Sequence, residues 1–255
     1  MSEPRGTTPE TMAADWGIAP VALAWPGRTA GLAAVVFAGR GADRLELSSP
    51  ADPATHILAV ATLGHHATYL VDGREAHQGR FEAGAVQLVQ AGEAPGAILS
   101  GDWRAIQFSL PATDLRQLAE DLGLSTADAR ALGFAMPYFA RETVLGRMGR
   151  QLDRRLGRGD TPSRLELDDL LLTIGCRLIR AHATVKPPRR PRPPALSTAE
   201  RQRLSALLGD AYDPDLAELA QTLDRTPAEA ERAFIEAFRA APHQVRESLR
   251  RNRPS

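Results

Sequence analysis

Between Val185 and Ala195 the sequence reads "VKPPRRPRPPA", five prolines and four basic residues in eleven positions. Proline has no amide donor and holds φ near one value, so neither a helix nor an inner strand can cross this stretch. The chain is therefore expected to fold as two parts joined by a semi-rigid, extended linker over 185–195.

The part before the linker changes character once. Residues 1–17 are polar, lack the apolar run of a secretory signal, and are expected to be a disordered tail. From 18 to 110, short apolar or alternating runs recur: "GLAAVVF", "HILAVATL", "ATYLV", "AVQLVQ" and "AIQFSL". Turn signals separate them, with Asp72-Gly73 in "VDGRE" as a two-residue hairpin connection. Many short strands at this spacing predict a β-sandwich or barrel. From 111 to 184 the period becomes helical. Val144, Met148, Leu152 and Leu156 form one stripe, and Leu167, Leu171, Ile174, Leu178 and Ile179 form another. Ser125 and Asp128 make a capping pattern.

Beyond the linker, 196–255 is helical throughout. Ser197 with Glu200 forms a capping box. Asp213 and Pro214 are read as N-cap and N1 of a short helix, and Thr226, Pro227 and Glu229 as N-cap, N1 and N3 of the next. The tight turn at Asp224-Arg225 between them gives the pair helix-turn-helix form.

This segment, "DLAELAQTLDRTPAEAERAFIEAFRAAPHQV", resembles the DNA-binding domain of AraC/XylS-type bacterial transcription regulators. The matching residues are Leu216, Leu219, Ala220, Thr226, Pro227, Arg232, Phe234, Pro242, His243 and Gln244. Asp224 stands where that family has a turn glycine, Arg225 replaces an apolar residue, and the family's second helix-turn-helix unit is missing. The resemblance implies a fold of α+β class. A cupin-like β-barrel sensor over 18–110 is followed by a helical dimerisation segment over 111–184, the linker, and an all-α helix-turn-helix domain over 196–255. It also implies DNA contacts from Arg225, Thr226, Ala228, Glu229, Glu231, Arg232, His243 and Gln244. Arg232 would suit a bidentate bond to guanine and Glu231 a bond from a cytosine amino group.

Charge tempers that expectation. The whole chain carries 31 Lys+Arg and 31 Asp+Glu, so no global basic field draws in a polyanion. From Lys186 onward there are 13 basic and 10 acidic residues, with Arg246, Arg250, Arg251 and Arg253 as candidate phosphate contacts. Glu229 has a local role in a capping box, and Arg232 is spaced to pair with Glu236.

Other chemistry is sparse. The lone Cys176 allows no intrachain disulfide and suits a reducing compartment. His56, His65, His66 and His77 fall in the β region, but adjacent histidines on a strand point to opposite faces, so no metal site is expected. Trp103 and Phe108 are candidates for a cavity wall or a core. No apolar run is long enough to span a membrane. The expectation is a cytoplasmic, effector-responsive transcription regulator. It would bind sequence-specific DNA as a homodimer, without cofactor or metal, and would not be an enzyme. The alternative is a regulator-derived module that binds an effector or a partner but has lost direct DNA binding.

Overall fold

The computed structural model describes residues 9–25, 32–187, 196–209 and 215–251. The expected linker therefore lies, from 188 onward, outside the described residues, as do Asp213 and Pro214. The chain runs α1 (Pro9–Trp16), β1 (Ala22–Ala24), β2 (Ala33–Ser48), β3 (Thr55–Leu63), β4 (His65–Val71), β5 (Arg74–Phe81), β6 (Val86–Val89) and β7 (Pro95–Pro111). The helices α2 (Ala112–Asp121), α3 (Thr126–Arg130), α4 (Thr143–Leu156) and α5 (Arg164–His182) follow. Past the linker come α6 (Thr198–Gly209), α7 (Leu216–Thr222), α8 (Pro227–Phe238) and α9 (Pro242–Arg251). Strands then helices is the α+β order that the sequence predicts.

All described strand pairs are antiparallel, and β7 organises them. Along one edge it pairs with β2, from Ala33↔Ser109 to Ser48↔Gly96. Along the other edge its first half pairs with β4 and its second half with β3. β2 breaks register between Gly39 and Leu45, where bulges let the long ribbon bend. At the β4–β5 hairpin, Asp72 (φ 51) and Gly73 (φ 74) are both left-handed, as a tight two-residue connection requires.

The sheet is apolar on both faces. Ile106, Phe108 and Leu110 of β7 join Leu58 and Val60 of β3 beneath the helices, all fully buried. The alternate positions, Trp103, Ala105 and Gln107, face the other way and line a cavity. Strand alternation thus splits Trp103 from Phe108: the first is a cavity wall and the second is core.

Helix α4 lies across β3 through glycines. A Cβ on Gly146 would sit 2.1 Å from the Gly84 carbonyl oxygen, and one on Gly149 would sit 2.7 Å from Val60 Cβ. The buried face of α4 is thus Leu145, Gly146, Gly149, Leu152 and Leu156, while Val144 and Met148 of the expected stripe are only half-buried. Close backbone approach, not side-chain bulk, selects that face. A bidentate Arg104–Asp153 ion pair (2.7–3.1 Å) clamps β7 to the same helix.

Two boundaries differ from the sequence reading. The expected disordered tail contains α1, whose Met12 and Trp16 are buried against Val35, Phe37, Leu99 and Trp103. The N-cap of α7 is Asp215, in a full capping box with Glu218. The boxes at Ser197–Glu200 and Thr226–Glu229 form as expected.

Adding one methyl at Gly146 should be costly. Gly146→Ala is expected to lower stability by about 1–3 kcal/mol through overpacking, despite alanine's better helix propensity. Urea denaturation reads this directly, and an unchanged midpoint would show that α4 can lift off the Gly84 loop.

Candidate functional site

The cavity holds about 80 Å3 and lies between the two arms of the bent sheet. The registers Ala59↔Gln87, Ala59↔Gln107 and Val35↔Gln107 put Gln87, Ala59, Gln107 and Val35 in one row across four strands. Aromatic rings from Phe37, Tyr69, Phe81, Trp103 and Phe139 and several aliphatic side chains make the remaining wall, and Trp16 and Ile18 close one side.

Several polar atoms are buried in this wall. Gln107 Oε1 and Trp103 Nε1 have no hydrogen-bond partner among the described residues, and the Tyr69 hydroxyl lies beside Gln87 without forming a well-aligned bond. Burial, with the nearby Glu93 charge, pushes the Tyr69 phenol upward, so it stays protonated. His65 donates from Nδ1 to the Leu63 carbonyl at 2.9 Å, and burial lowers its pKa, so the ring is neutral with Nε2 as an acceptor. A buried polar atom without a partner costs about 1–3 kcal/mol. Such atoms in an apolar wall are what a ligand with complementary groups would satisfy.

Phe139 is the strained element of the wall. Its φ of 51 is rare for a bulky side chain. Three contacts hold it there: its amide donates to Gln87 Oε1 at 3.1 Å, its ring stacks on Phe81 at 4.5 Å, and it meets His77 edge-on at 4.8 Å.

In the C-terminal unit a short turn joins α7 to α8. Asp224 takes the left-handed conformation (φ 53) in the turn, as expected of a glycine substitute. The residues singled out for DNA contact are, however, engaged within the protein. Arg225 pairs with Glu200 at 3.2 Å and is largely buried. Thr226 and Glu229 cap α8. Ala228 is buried, and the Arg232 Nε donates to its carbonyl at 3.1 Å. Gln244 Oε1 accepts from the Ala241 amide at 3.1 Å, and His243 Nδ1 lies 2.6 Å from Asp169 of α5. Pro227 shares a groove with Asp168, Leu171 and Leu172 of α5. Arg246, a candidate phosphate contact, is buried, whereas Arg251 is exposed.

Glu231 completes a buried acidic cluster against α5. Burial, and then the Asp169 charge, push its carboxyl up to about 7. Burial likewise raises Asp169, although His243 opposes this. Burial would lower His243, but its bond to Asp169 and the charges of Asp169, Glu166 and Glu247 raise it overall. Cys176 of α5, near Glu231 and Arg232, is pushed up to about 11 by burial first and Glu231 second, and is a packed thiol. A further bridge, Arg164–Asp215 at 2.6 Å, joins α5 to the start of α7.

Asp169, Gln87 and Gln107 escaped the sequence reading, yet each left a signal. Asp169 lies on the stripe Leu165–Asp169–Leu172, a carboxylate at a core position. The two glutamines interrupt apolar strands at inward positions. No group of three or more metal-ligating side chains gathers among the described residues, and His65 and His66 point to opposite faces. No described helix is long and apolar enough to cross a membrane.

No protein-family model and no curated protein matches this sequence. The AraC-type resemblance of the C-terminal segment therefore rests on its matching residues alone. Some solved structures are similar over about a third of the chain. A putative ethanolamine utilization protein from Salmonella typhimurium has 12% identity and a TM-score of 0.26, covering 32% of this chain and 59% of its own. A cupin domain from Schizosaccharomyces pombe has 13% identity and a TM-score of 0.29, covering 35% and 62%. A DMSP lyase from Ruegeria pomeroyi has 19% identity and a TM-score of 0.24, covering 31% and 38%. The chain thus spans less than two thirds of each of them. In this chain the strand-rich region, 22–111, is followed by helices. One of these proteins is a lyase, which corrects the expectation that the chain is not an enzyme: a region of this kind is no ground for excluding catalysis.

The acidic cluster makes the fold pH-sensitive. Glu231 titrates at about 7 in the fold against an ordinary 4.5. Its stabilising contribution is full below 4.5 and is lost as pH rises through 7. His243, also raised, acts in the same direction. His56, His65 and His182, lowered by burial, act in the opposite sense over part of this range, so the Glu231 contribution, a fall on the order of 1–3 kcal/mol between about pH 5 and about pH 8, is read as the difference between wild type and Glu231→Gln. Glu231→Gln should flatten this slope and raise the denaturation midpoint at the alkaline end. A stability difference between wild type and Glu231→Gln that is the same at both ends of the range would contradict the assignment.

Proposed function

We propose that the chain is a small-molecule-binding module of regulator type, in which the helix-turn-helix unit is held on α5 rather than offered to DNA. The observation that carries the ligand half is the apolar cavity with buried, unsatisfied polar atoms on Gln107 and Trp103. Its donors (the Trp103 indole N–H and the Tyr69 hydroxyl) and its acceptors (Gln107 Oε1 and His65 Nε2) suit a small, uncharged, largely apolar molecule with one donor and one acceptor. At about 80 Å3 the space is roughly half that of an engineered apolar cavity of about 150 Å3 that binds benzene. A ligand larger than a few heavy atoms would have to displace Trp16 and Ile18 at the edge. The second half is supported by His243–Asp169, Arg164–Asp215 and the inward-facing Glu231.

Sequence-specific DNA reading by a homodimer is the second interpretation, favoured by the turn at Asp224 and the capped α8. It requires the unit to leave α5 first, since Ala228, Glu231 and His243 are otherwise covered.

The test has two arms. Pyrazole and isopropanol, which have few heavy atoms and do not fluoresce, are titrated into the protein while the fluorescence of its tryptophans is read, Trp16 and Trp103 lying at the cavity. A saturable change is expected, and Ala59→Leu, which fills the cavity floor, should weaken it at least tenfold. In parallel, DNA from upstream of its coding region and a scrambled control are compared by fluorescence anisotropy. Weak, equal binding at about 150 mM salt is expected. A specific complex at that salt would replace this proposal with the DNA-reading one, and no response to either probe would remove the ligand half.

A further inference from the structure

A second pocket, of about 220 Å3, lies outside the sheet's interior, where the loops around Pro53 and Gln90-Ala91 meet α2 and α3. Its wall is built of donors. His56, buried on β3, accepts the Ala91 amide at Nδ1 over 3.1 Å, so its proton sits on Nε2. Gln90 uses its Oε1 to accept from the Phe134 amide at 2.8 Å, which leaves only its NH2 group for the pocket. Arg116 of α2 spends its Nε on the Ala112 carbonyl at 3.0 Å, keeping both terminal nitrogens. Arg130 ends α3 and is exposed.

No carboxylate lines this pocket, and neither arginine has an ion-pair partner among the described residues. Asp114 and Glu120 flank Arg116 on α2 but do not line the pocket, and the carboxylates of the adjoining loops are committed elsewhere. Asp52 accepts from the Ala54 amide and Glu93 from the Gln90 amide, both at 2.8 Å, and both line a separate cleft. Asp128 is bonded to Ser125 at 2.7 Å. Two guanidinium groups facing one polar pocket, beside a buried imidazole N–H, repel one another unless an anion lies between them.

We propose that this pocket binds a small oxyanion, a phosphate or carboxylate group, held by Arg116 and Arg130 with His56 Nε2 and the Gln90 amide as further donors. Guanidinium forks match the paired oxygens of either group. The site is separate from the apolar cavity, so it stands or falls independently of the ligand proposed there. His56 supplies an internal reporter. Burial, and then the Arg116 charge, hold it at about 4, so it is neutral in the empty pocket. An anion cancels part of the Arg116 charge and draws the His56 pKa upward.

The experiment follows the His56 imidazole resonances by NMR, assigned with His56→Gln, as inorganic phosphate or acetate replaces chloride at constant ionic strength. The expected result is a saturable shift with at least one of the two anions, a rise in the His56 pKa, and at least tenfold weaker binding in Arg130→Gln. Arg130 is exposed, so that variant keeps the fold. Response to phosphate alone assigns a phosphate-bearing ligand, and response to acetate alone a carboxylate-bearing one. The proposal is overturned if neither anion gives a saturable response, or if Arg116→Gln and Arg130→Gln both bind as tightly as wild type.

Discussion

The structure depends on β7 being buried on both faces. Seventeen residues long, it pairs with three other strands and sends alternate side chains to two different apolar environments. On one side Ile106, Phe108 and Leu110 anchor the helices. On the other, Trp103, Ala105 and Gln107 line the cavity. Because strand alternation has a period of two, a one-residue slip would exchange the two sets and place Gln107 beneath the helices. The bulges in β2 reinforce that register, and the Arg104–Asp153 pair fixes α4 relative to it. Cavity and helical layer are therefore two outcomes of one strand's pleat.

Helix α5 extends this arrangement to the C-terminal unit. Its apolar face contributes Leu167, Leu172, Ile174 and Leu178 to the core, and the helix also supplies carboxylates to its neighbours. Glu166 pairs with Arg155 of α4, and Asp169 with His243 of α9. A buried carboxylate is tolerated only when paired or protonated. Asp169 and Glu231 are too close for both to hold a charge easily, so His243 and a retained proton are part of the interface. These polar contacts add to an apolar seam, since the buried side chains of both parts fall in one hydrophobic cluster.

Local chemistry was legible in the sequence, and tertiary placement was not. The Asp72-Gly73 hairpin, the Thr226 box and the left-handed Asp224 follow from residue type at a few adjacent positions. The strand-to-helix order followed from a change of period. By contrast, α1 has only eight residues, and it is placed by Met12 and Trp16, which find an apolar surface far along the chain. Asp213 and Asp215 both had the chemistry of a cap, and two residues separate the expected boundary from the observed one. The stripe on α4 was misread because Gly146 and Gly149 mark a contact by their lack of a side chain. The outward face of α8 was read as solvent-exposed because periodicity distinguishes inside from outside within one unit only. Nothing in that period says that α5 supplies a second inside. Of the cavity only Trp103 was anticipated, for a similar reason, since facing strands meet through non-local pairing.

Phe139 carries one more consequence. The cavity wall at Phe139 is followed at once by Ala140, bridged to Val86, and then by Glu142, which caps α4 and grips Arg177 of α5. Four consecutive residues thus belong to the wall, to the sheet edge and to a clasp on α5. The strained φ at Phe139 is held by Gln87, itself a cavity residue with a side-chain acceptor already in use. The short segment therefore ties the cavity wall, through the Ala140 bridge, to the helix that holds the C-terminal unit, so that four residues of backbone are shared by the three parts.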